Sequence, residues 1–363
     1  MNNAPSSRLR ASGKPSLIVR ADAGSKSGAG HVMRCLALMQ AWRARGGAIG
    51  LATANCPEAL ISRIRTNAGA EIARISAPAG SPGDADETAA IAAHGGASWI
   101  VVDGYDFDAG YVRRLRKNGL SVLLLDDLGG RGRTDATIVL NQNLHAESSL
   151  YTAESPSTTR LLGLAYLLLR EEFWPWRGWT REFPPRVRRI GIALGGADPF
   201  DQTRKVIEAA AAERLSDVEL AVVVGAANPR LEAIRAAASR VPGNVIVHAD
   251  LADMASFLSG VDLLVSSAGV TVWEGAFLST PMLLGTVGPQ EEALVRRLAA
   301  SGACIDLGPF EALAGDGLAA RIHALVDEPA QRRTLGAACS GLIDGRGCER
   351  VTDVMLRQEA LVT

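Results

Sequence analysis

"SLIVRADAGSKSGAGHVMRCLALMQAWRARGG", residues 16–47, decides the fold. Ser16 to Asp22 is a short apolar, β-branched run ending in polar residues, the pattern of a buried strand. A glycine-rich turn follows, with Gly24, Gly28 and Gly30. From His31 to Arg45 the apolar residues take helical spacing, and Gly46-Gly47 stops the helix. A strand, a glycine turn and a helix in this order make the first half of a βαβ unit.

The same alternation runs outward along the chain. AIGLATAN, EIARIS, SWIVVDGY and SVLLLDD read as strands, separated by helices at 57–67, 84–94 and 109–118, and ATIVLNQN adds a further strand. Between Arg170 and Arg186 the texture changes to EEFWPWRGWTREFPPR, rich in tryptophan and proline, which reads as an interdomain linker. Six more strands follow: RRIGIALGG, VELAVVVG, NVIVHAD, VDLLVSSAG, PMLLGTV and ACIDLG. The expectation is an α/β protein with two Rossmann-like, doubly wound domains. A tail covers 1–15, an N-terminal domain 16–175, a C-terminal domain 186–335 and a helical segment 336–363. In such folds ligands bind beyond the carboxyl ends of the strands, and a cleft between two halves is a natural substrate site.

Composition narrows the function. The 363 residues suit about two domains. Basic residues (38) and acidic residues (39) nearly cancel, which argues against a nucleic-acid partner. No apolar run approaches the ~20 residues that span a bilayer, so no membrane partner is expected. Five scattered cysteines without a CxxC pair indicate neither a disulfide framework nor a zinc site, and fit a reducing cytosol. The first 16 residues lack the apolar stretch of a secretory signal.

The polar residues that follow the strands are the candidates for chemistry. The glycine loop is neither a P-loop nor a GxGxxG fingerprint, and a tight strand-to-helix turn explains it equally well. His31 falls in the first turn of its helix, where the dipole disfavours imidazolium. A neutral ring there can accept a proton as a general base; a capping histidine is the plainer alternative. Arg34, one turn on, could hold an anion or be a solvated arginine. In the second half, GGADP and AGVTVWE each open a helix after an apolar strand, where backbone N–H groups could meet a diphosphate. Glu274 could accept hydrogen bonds from a ribose diol, or serve only the helix dipole. Asp126-Asp127 could bind a divalent ion or cap a turn, and no metal is assigned.

Taken in order, "IVRADAGSKSGAGHVMRCLALMQAW", "LLLDDLGGRGRTDATIVLNQN", "LLGLAYLLLREEF", "IALGGADPFDQT", "VSSAGVTVWEGAFLSTPMLL" and "IDGRGCERV" resemble blocks of the UDP-sugar hydrolases of pseudaminic acid biosynthesis, a step toward flagellin glycosylation. The resemblance spans roughly Ser16 to Val351. It implies a MurG-like GT-B architecture, with two domains facing a central cleft and UDP on the C-terminal one. It also implies hydrolysis of UDP-2,4-diacetamido-2,4,6-trideoxy-β-L-altropyranose to free sugar and UDP, without metal or cofactor, in the cytoplasm. Carried over by motif, His31 would activate water and Tyr105 would stand near the sugar. Arg20, Asp22, Gly30, Arg34, Gly195, Gly196, Ala268, Gly269, Thr271, Glu274 and Gln290 would contact the substrate.

The chain departs from that pattern at Pro289, where the family carries asparagine, and at Val270 and Val272, where it carries small hydroxylated residues. These departures keep two other functions open: a GT-B glycosyltransferase using a UDP-amino sugar, and a catalytically silent nucleotide-sugar-binding protein.

Overall fold

The structure, a computed structural model, describes residues 16–24, 28–211 and 215–359; the expected tail at 1–15 lies outside them. Contacts divide the chain into two compact units. One comprises the residues up to Ala23, His31–Glu171 and those from Arg346 on; the other comprises Gly24–Gly30 and Glu172–Gly345.

The first unit is built on a parallel sheet. Its first four strands are β1 (Ser16–Ala21), β2 (Ala48–Thr53), β3 (Glu71–Arg74) and β4 (Trp99–Asp103). Then come β5 (Ser121–Leu125), β6 (Ile138–Asn141) and β7 (Thr159–Leu162). The spatial order is β3-β2-β1-β4-β5-β6-β7, so the switch point lies between β1 and β4. Helices α1 (Gly30–Ala44), α2 (Glu58–Ala68), α3 (Pro82–Gly95) and α4 (Ala109–Lys117) connect the early strands. β1 and β4 are buried at every position, which is why they read as unbroken apolar runs rather than alternating ones. One cluster on this sheet joins Ile18, Ile100, Val102, Val122 and Leu124 to Phe107, Val112 and Leu115.

The second unit repeats the plan. Its strands are β8 (Arg189–Ala193), β9 (Glu219–Val224), β10 (Asn244–Ala249), β11 (Leu263–Ser267), β12 (Met282–Thr286) and β13 (Ile305–Pro309). They lie in the order β10-β9-β8-β11-β12-β13, all parallel. Helices α5 (Gln202–Ala210), α6 (Leu231–Ala238), α7 (Met254–Ser259), α8 (Val270–Phe277), α9 (Pro289–Ala300), α10 (Gly315–Asp327) and α11 (Pro329–Cys339) cover it. The six strands expected here are all present.

Three features differ from the sequence reading. First, β7 escapes it, because Thr159–Leu162 merges in sequence with an apolar run that continues to Leu169; Gly163, at φ 89°, makes the break. Second, the aromatic stretch after Arg170, read as an interdomain linker, packs from Glu172 on within the second unit. Phe173 is fully buried and meets Phe277 edge-on, with ring centroids 6.2 Å apart. Arg181 donates to the carbonyls of Leu278 (2.8 Å), Val261 (2.7 Å) and Leu258 (2.6 Å).

Third, the C-terminal segment is not one piece. α11 belongs to the second unit, whereas α12 (Gly347–Glu359) returns to the first. There the Cys348 thiol faces the Leu169 carbonyl at 3.4 Å and Arg350 donates to the Ala165 carbonyl at 2.8 Å. A Cβ on Gly347 would come within 2.0 Å of the Leu167 oxygen, so only glycine permits this approach.

Candidate active site

The sequence-predicted residues of the first unit gather at the carboxyl end of its sheet. His31 is the second residue of α1, and Tyr105 follows β4 by two residues. Their rings meet edge-to-face, with centroids 4.9 Å apart and planes at 74°. The tyrosine is about half exposed. Partial burial, then the nearby Asp127 carboxylate, pushes its phenol up to about 12, so it remains a neutral hydrogen-bond donor at physiological pH. A histidine and a protonated phenol side by side can relay a proton and hold a hydroxyl.

Beneath them lies a charged network the sequence did not disclose. Arg34, one helical turn after His31, is buried. Its Nε and Nη2 donate to the two oxygens of Asp103, each at 2.6 Å, and its Nη1 donates to Asp127 at 2.7 Å. Burial works against the guanidinium charge, but the two carboxylates outweigh it and hold it above its ordinary range. Burial likewise opposes the Asp127 charge, and Arg34 outweighs it, keeping that carboxyl well below the usual carboxylate range. Asn143 adds a hydrogen bond to Asp127 at 2.8 Å, and His145 Nε2 meets the Asp127 carbonyl oxygen at 3.0 Å. Arg34 is thus not a solvated arginine, and its guanidinium is taken up by Asp103 and Asp127. It ties α1 to the ends of β4 and β5, the two strands that precede Tyr105 and Asp127.

Arg20 behaves in the same way. It is fully buried, bidentate to Asp84 (2.9 and 2.8 Å) and paired with Asp22 at 2.8 Å, and its guanidinium lies 4.8 Å from the Phe107 ring centroid. Asp22 in turn accepts from Thr53 Oγ1 and the Ala54 and Asn55 amides, pinning the turn after β2. These partners account for Arg20 structurally. Asp126 accepts from the Leu128 and Gly129 amides and pairs with Arg131 at 3.0 Å. The turn-capping reading therefore fits Asp126 but not Asp127, whose carboxylate is bonded to Arg34 and Asn143, and no cluster able to hold a metal ion occurs among the described residues. Gly24 and Gly28 exchange backbone hydrogen bonds, closing the glycine loop on itself rather than turning those amides to a phosphate.

In the second unit the candidates cluster on two turns. Gly195, at φ 80°, and Gly196 follow β8; a Cβ on the neighbouring Gly225 would meet the Gly196 Cα at 2.6 Å, so the two turns are packed backbone to backbone. Asp198 then caps α5, accepting from the Gln202 and Thr203 amides at 2.9 and 2.8 Å. Ala268 and Gly269 lead from β11 into α8, and Gly269 contributes no side-chain cap. The N-terminal N–H groups of such a helix favour an anion. Thr271 sits in its first turn, and Glu274 is 3% exposed one turn further on.

Two of the three departures, Val272 and Pro289, have physical explanations here; Val270 has none. Val272 is fully buried, so its side chain belongs to the core. Pro289 opens α9, where proline's fixed φ suits a helix start and its missing N–H costs no hydrogen bond. The Gln290 side chain lies outside the described residues. Glu291, given no role by the sequence, accepts N–H groups from Val287 (2.8 Å) and Ala268, and so ties the start of α9 to the turn before α8.

Comparison with known proteins agrees with this fold. The chain matches no protein-family model. It is 26% identical over 270 residues to the spore coat polysaccharide biosynthesis protein SpsG of Bacillus subtilis (strain 168), a match covering 67% of this chain and 78% of that one. It is also 25% identical over 194 residues to the uncharacterized protein MJ1062 of Methanocaldococcus jannaschii, covering 51% of this chain but only 39% of that longer protein. Among solved structures, MurG of Acinetobacter baumannii superposes with a TM-score of 0.63 at 17% identity, over 95% of this chain and 99% of that one. The spinosyn rhamnosyltransferase SpnG, complexed with thymidine diphosphate, gives 0.61 at 19% identity, over 94% and 100%. The spinosyn forosaminyltransferase SpnP gives 0.62 at 17%, over 97% and 100%. The fold is GT-B.

Proposed function

We propose that this protein is a sugar-nucleotide-processing enzyme of polysaccharide biosynthesis, and within that class a hydrolase that cleaves a UDP-diacetamido-trideoxy sugar to free sugar and UDP. The observation that carries the reading is the His31–Tyr105 pair, set on the first turn of α1 and the end of β4 and anchored by the buried Arg34–Asp103–Asp127 network. The similarity to SpsG and the fold shared with glycosyltransferases support the broader class.

In this mechanism His31 takes a proton from water as the water oxygen bonds to the anomeric carbon. The bond from that carbon to the UDP oxygen breaks, and its electron pair leaves with UDP. The positive end of α8 stabilises the departing diphosphate. Tyr105 donates to a sugar oxygen, and Glu274 accepts from the ribose diol. The proton on His31 passes to solvent, so atoms and charge balance without a metal.

The fold neighbours named as transferases favour a second reading, in which a sugar hydroxyl takes the place of water. NMR of the products separates the two: free reducing sugar for the hydrolase, a glycoside for the transferase. The hydrolase reading predicts that His31→Ala loses UDP release while still binding UDP. Full turnover by that variant removes His31 from the mechanism.

A further inference from the structure

A cavity of 410 Å³ opens on the second unit, at the carboxyl ends of β12 and β13 and beside the start of α5. Its wall mixes apolar and polar side chains. Phe200, Phe310 and Pro289 supply the apolar part, and Gln202, Glu292 and Glu311 the polar part.

Two of these residues are unusual where they stand. Phe200 is 63% exposed, whereas Phe107, Phe173, Phe257 and Phe310 are buried and Phe183 and Phe277 partly buried. Gln202 is 9% exposed and donates its Nε2 to the Phe200 carbonyl at 3.1 Å, while its Oε1 is buried without a hydrogen-bond partner. A buried acceptor left unpaired costs roughly 1–3 kcal/mol, and an exposed aromatic ring at a cavity mouth leaves apolar surface in water. A ligand that covers the ring and donates to the acceptors relieves both.

The charge of the wall says which ligand. Among the described residues two carboxylates and no cation line the cavity, and one of them, Glu292, meets Arg296, outside the lining, at 3.2 Å. Lys205, on the same helix as Gln202, gives its ammonium to the Phe310 carbonyl instead. A phosphate or other anion is therefore disfavoured. What fits is an uncharged ring with a C–H face to lie on Phe200 and hydroxyl or amide donors for the acceptors.

We propose that this cavity binds an uncharged sugar ring, stacked on Phe200 and hydrogen-bonded to the acceptors of Gln202, Glu292 and Glu311. The turn from Val287 to Pro289 borders it, and Glu291 ties that turn to Ala268 at the start of α8. The sugar is either the one carried by the nucleotide or a separate saccharide; both present the same chemistry. The pocket does not depend on the hydrolase reading, since it recognises the ring whether or not a nucleotide is attached.

The test uses the full chain and N-acetylglucosamine as probe, with binding read by saturation-transfer NMR and calorimetry. The proposal expects binding that weakens roughly fivefold or more in Phe200→Ala and in Gln202→Leu, with UDP affinity unchanged. Phe200 is exposed, so its truncation leaves the core intact. N-acetylglucosamine 6-phosphate should bind more weakly than the uncharged sugar. If UDP-N-acetylglucosamine also weakens in Phe200→Ala, the ring is that of the nucleotide sugar; if it does not, and the free sugar still binds in saturating UDP, the saccharide is separate. Absence of binding to the wild-type chain, or equal binding by wild type and both variants, overturns the proposal. A chain that binds the free sugar but no UDP refutes the nucleotide-sugar reading and leaves this one standing.

Discussion

His31 owes its place to a neighbour three residues away. Arg34 is bonded to Asp103 and Asp127, so the first turn of α1 is held against the strand ends that position Tyr105. Breaking a buried pair leaves a charge uncompensated and costs roughly 3–5 kcal/mol. Asp103→Asn should therefore destabilise the protein by about that amount in urea denaturation, and Arg34→Lys, which loses the fork geometry, by less. Tyr105→Phe makes a cleaner probe: its ring is half exposed, so stability should hold while turnover falls. An unchanged turnover would take the hydroxyl out of the mechanism.

Some of this was visible in the residues and some was not. GAGH followed by a helix marks His31 because the glycines, the strand and the helix are contiguous. The fates of Arg20 and Arg34 are not legible in the same way. Their partners stand 64 and 69 residues away, and only the sheet order brings them together. An arginine at a strand end reads equally well as an anion ligand or as half of a buried pair.

At the scale of elements, the Asp84 carboxylate on α3 holds β1 to α3 through Arg20 and accepts further bonds from Gly80, Thr88 and Tyr111. Burial opposes its charge, but Arg20 outweighs burial and lowers its pKa below the ordinary carboxylate value. A lowered folded pKa gives stability that is fully present above the unfolded value, near 3.9, and is lost as pH falls through the folded one. Urea midpoints should therefore be level from pH 7 to 5 and drop below about pH 4. In Asp84→Asn this part of the drop should be absent and the midpoint at pH 7 already lower. The cap of α5 is a second such element: Asp198→Ala should cost about 1–2 kcal/mol, because two amides lose their acceptor. Alternating apolar runs revealed most of these elements. β7 stayed hidden because its break from the following apolar stretch rests on a single glycine, Gly163.

At the scale of the whole molecule, the chain order does not follow the division into units. α12 closes the first unit, with Val351 and Met355 fully buried. The sequence shows a helix there but not where it packs, since its apolar face carries no address. Truncation after Gly345 should lower the melting temperature of the first unit and expose apolar surface to a dye such as ANS. A truncated chain as stable as the full one would mean that α12 contributes nothing to that packing. The duplicated parallel sheet, β7 apart, was by contrast legible, because buried parallel strands are apolar on both faces.

The central claim is that the chain releases UDP from a UDP-linked diacetamido sugar, with His31 as the base. The measurement that tests it most directly is UDP release from UDP-2,4-diacetamido-2,4,6-trideoxy-β-L-altropyranose by the purified wild-type chain and by His31→Ala. The account predicts turnover by the wild type, loss of turnover in the variant, and UDP binding retained by both. UDP release that His31→Ala leaves intact, or no release by the wild type at high enzyme concentration, would contradict it.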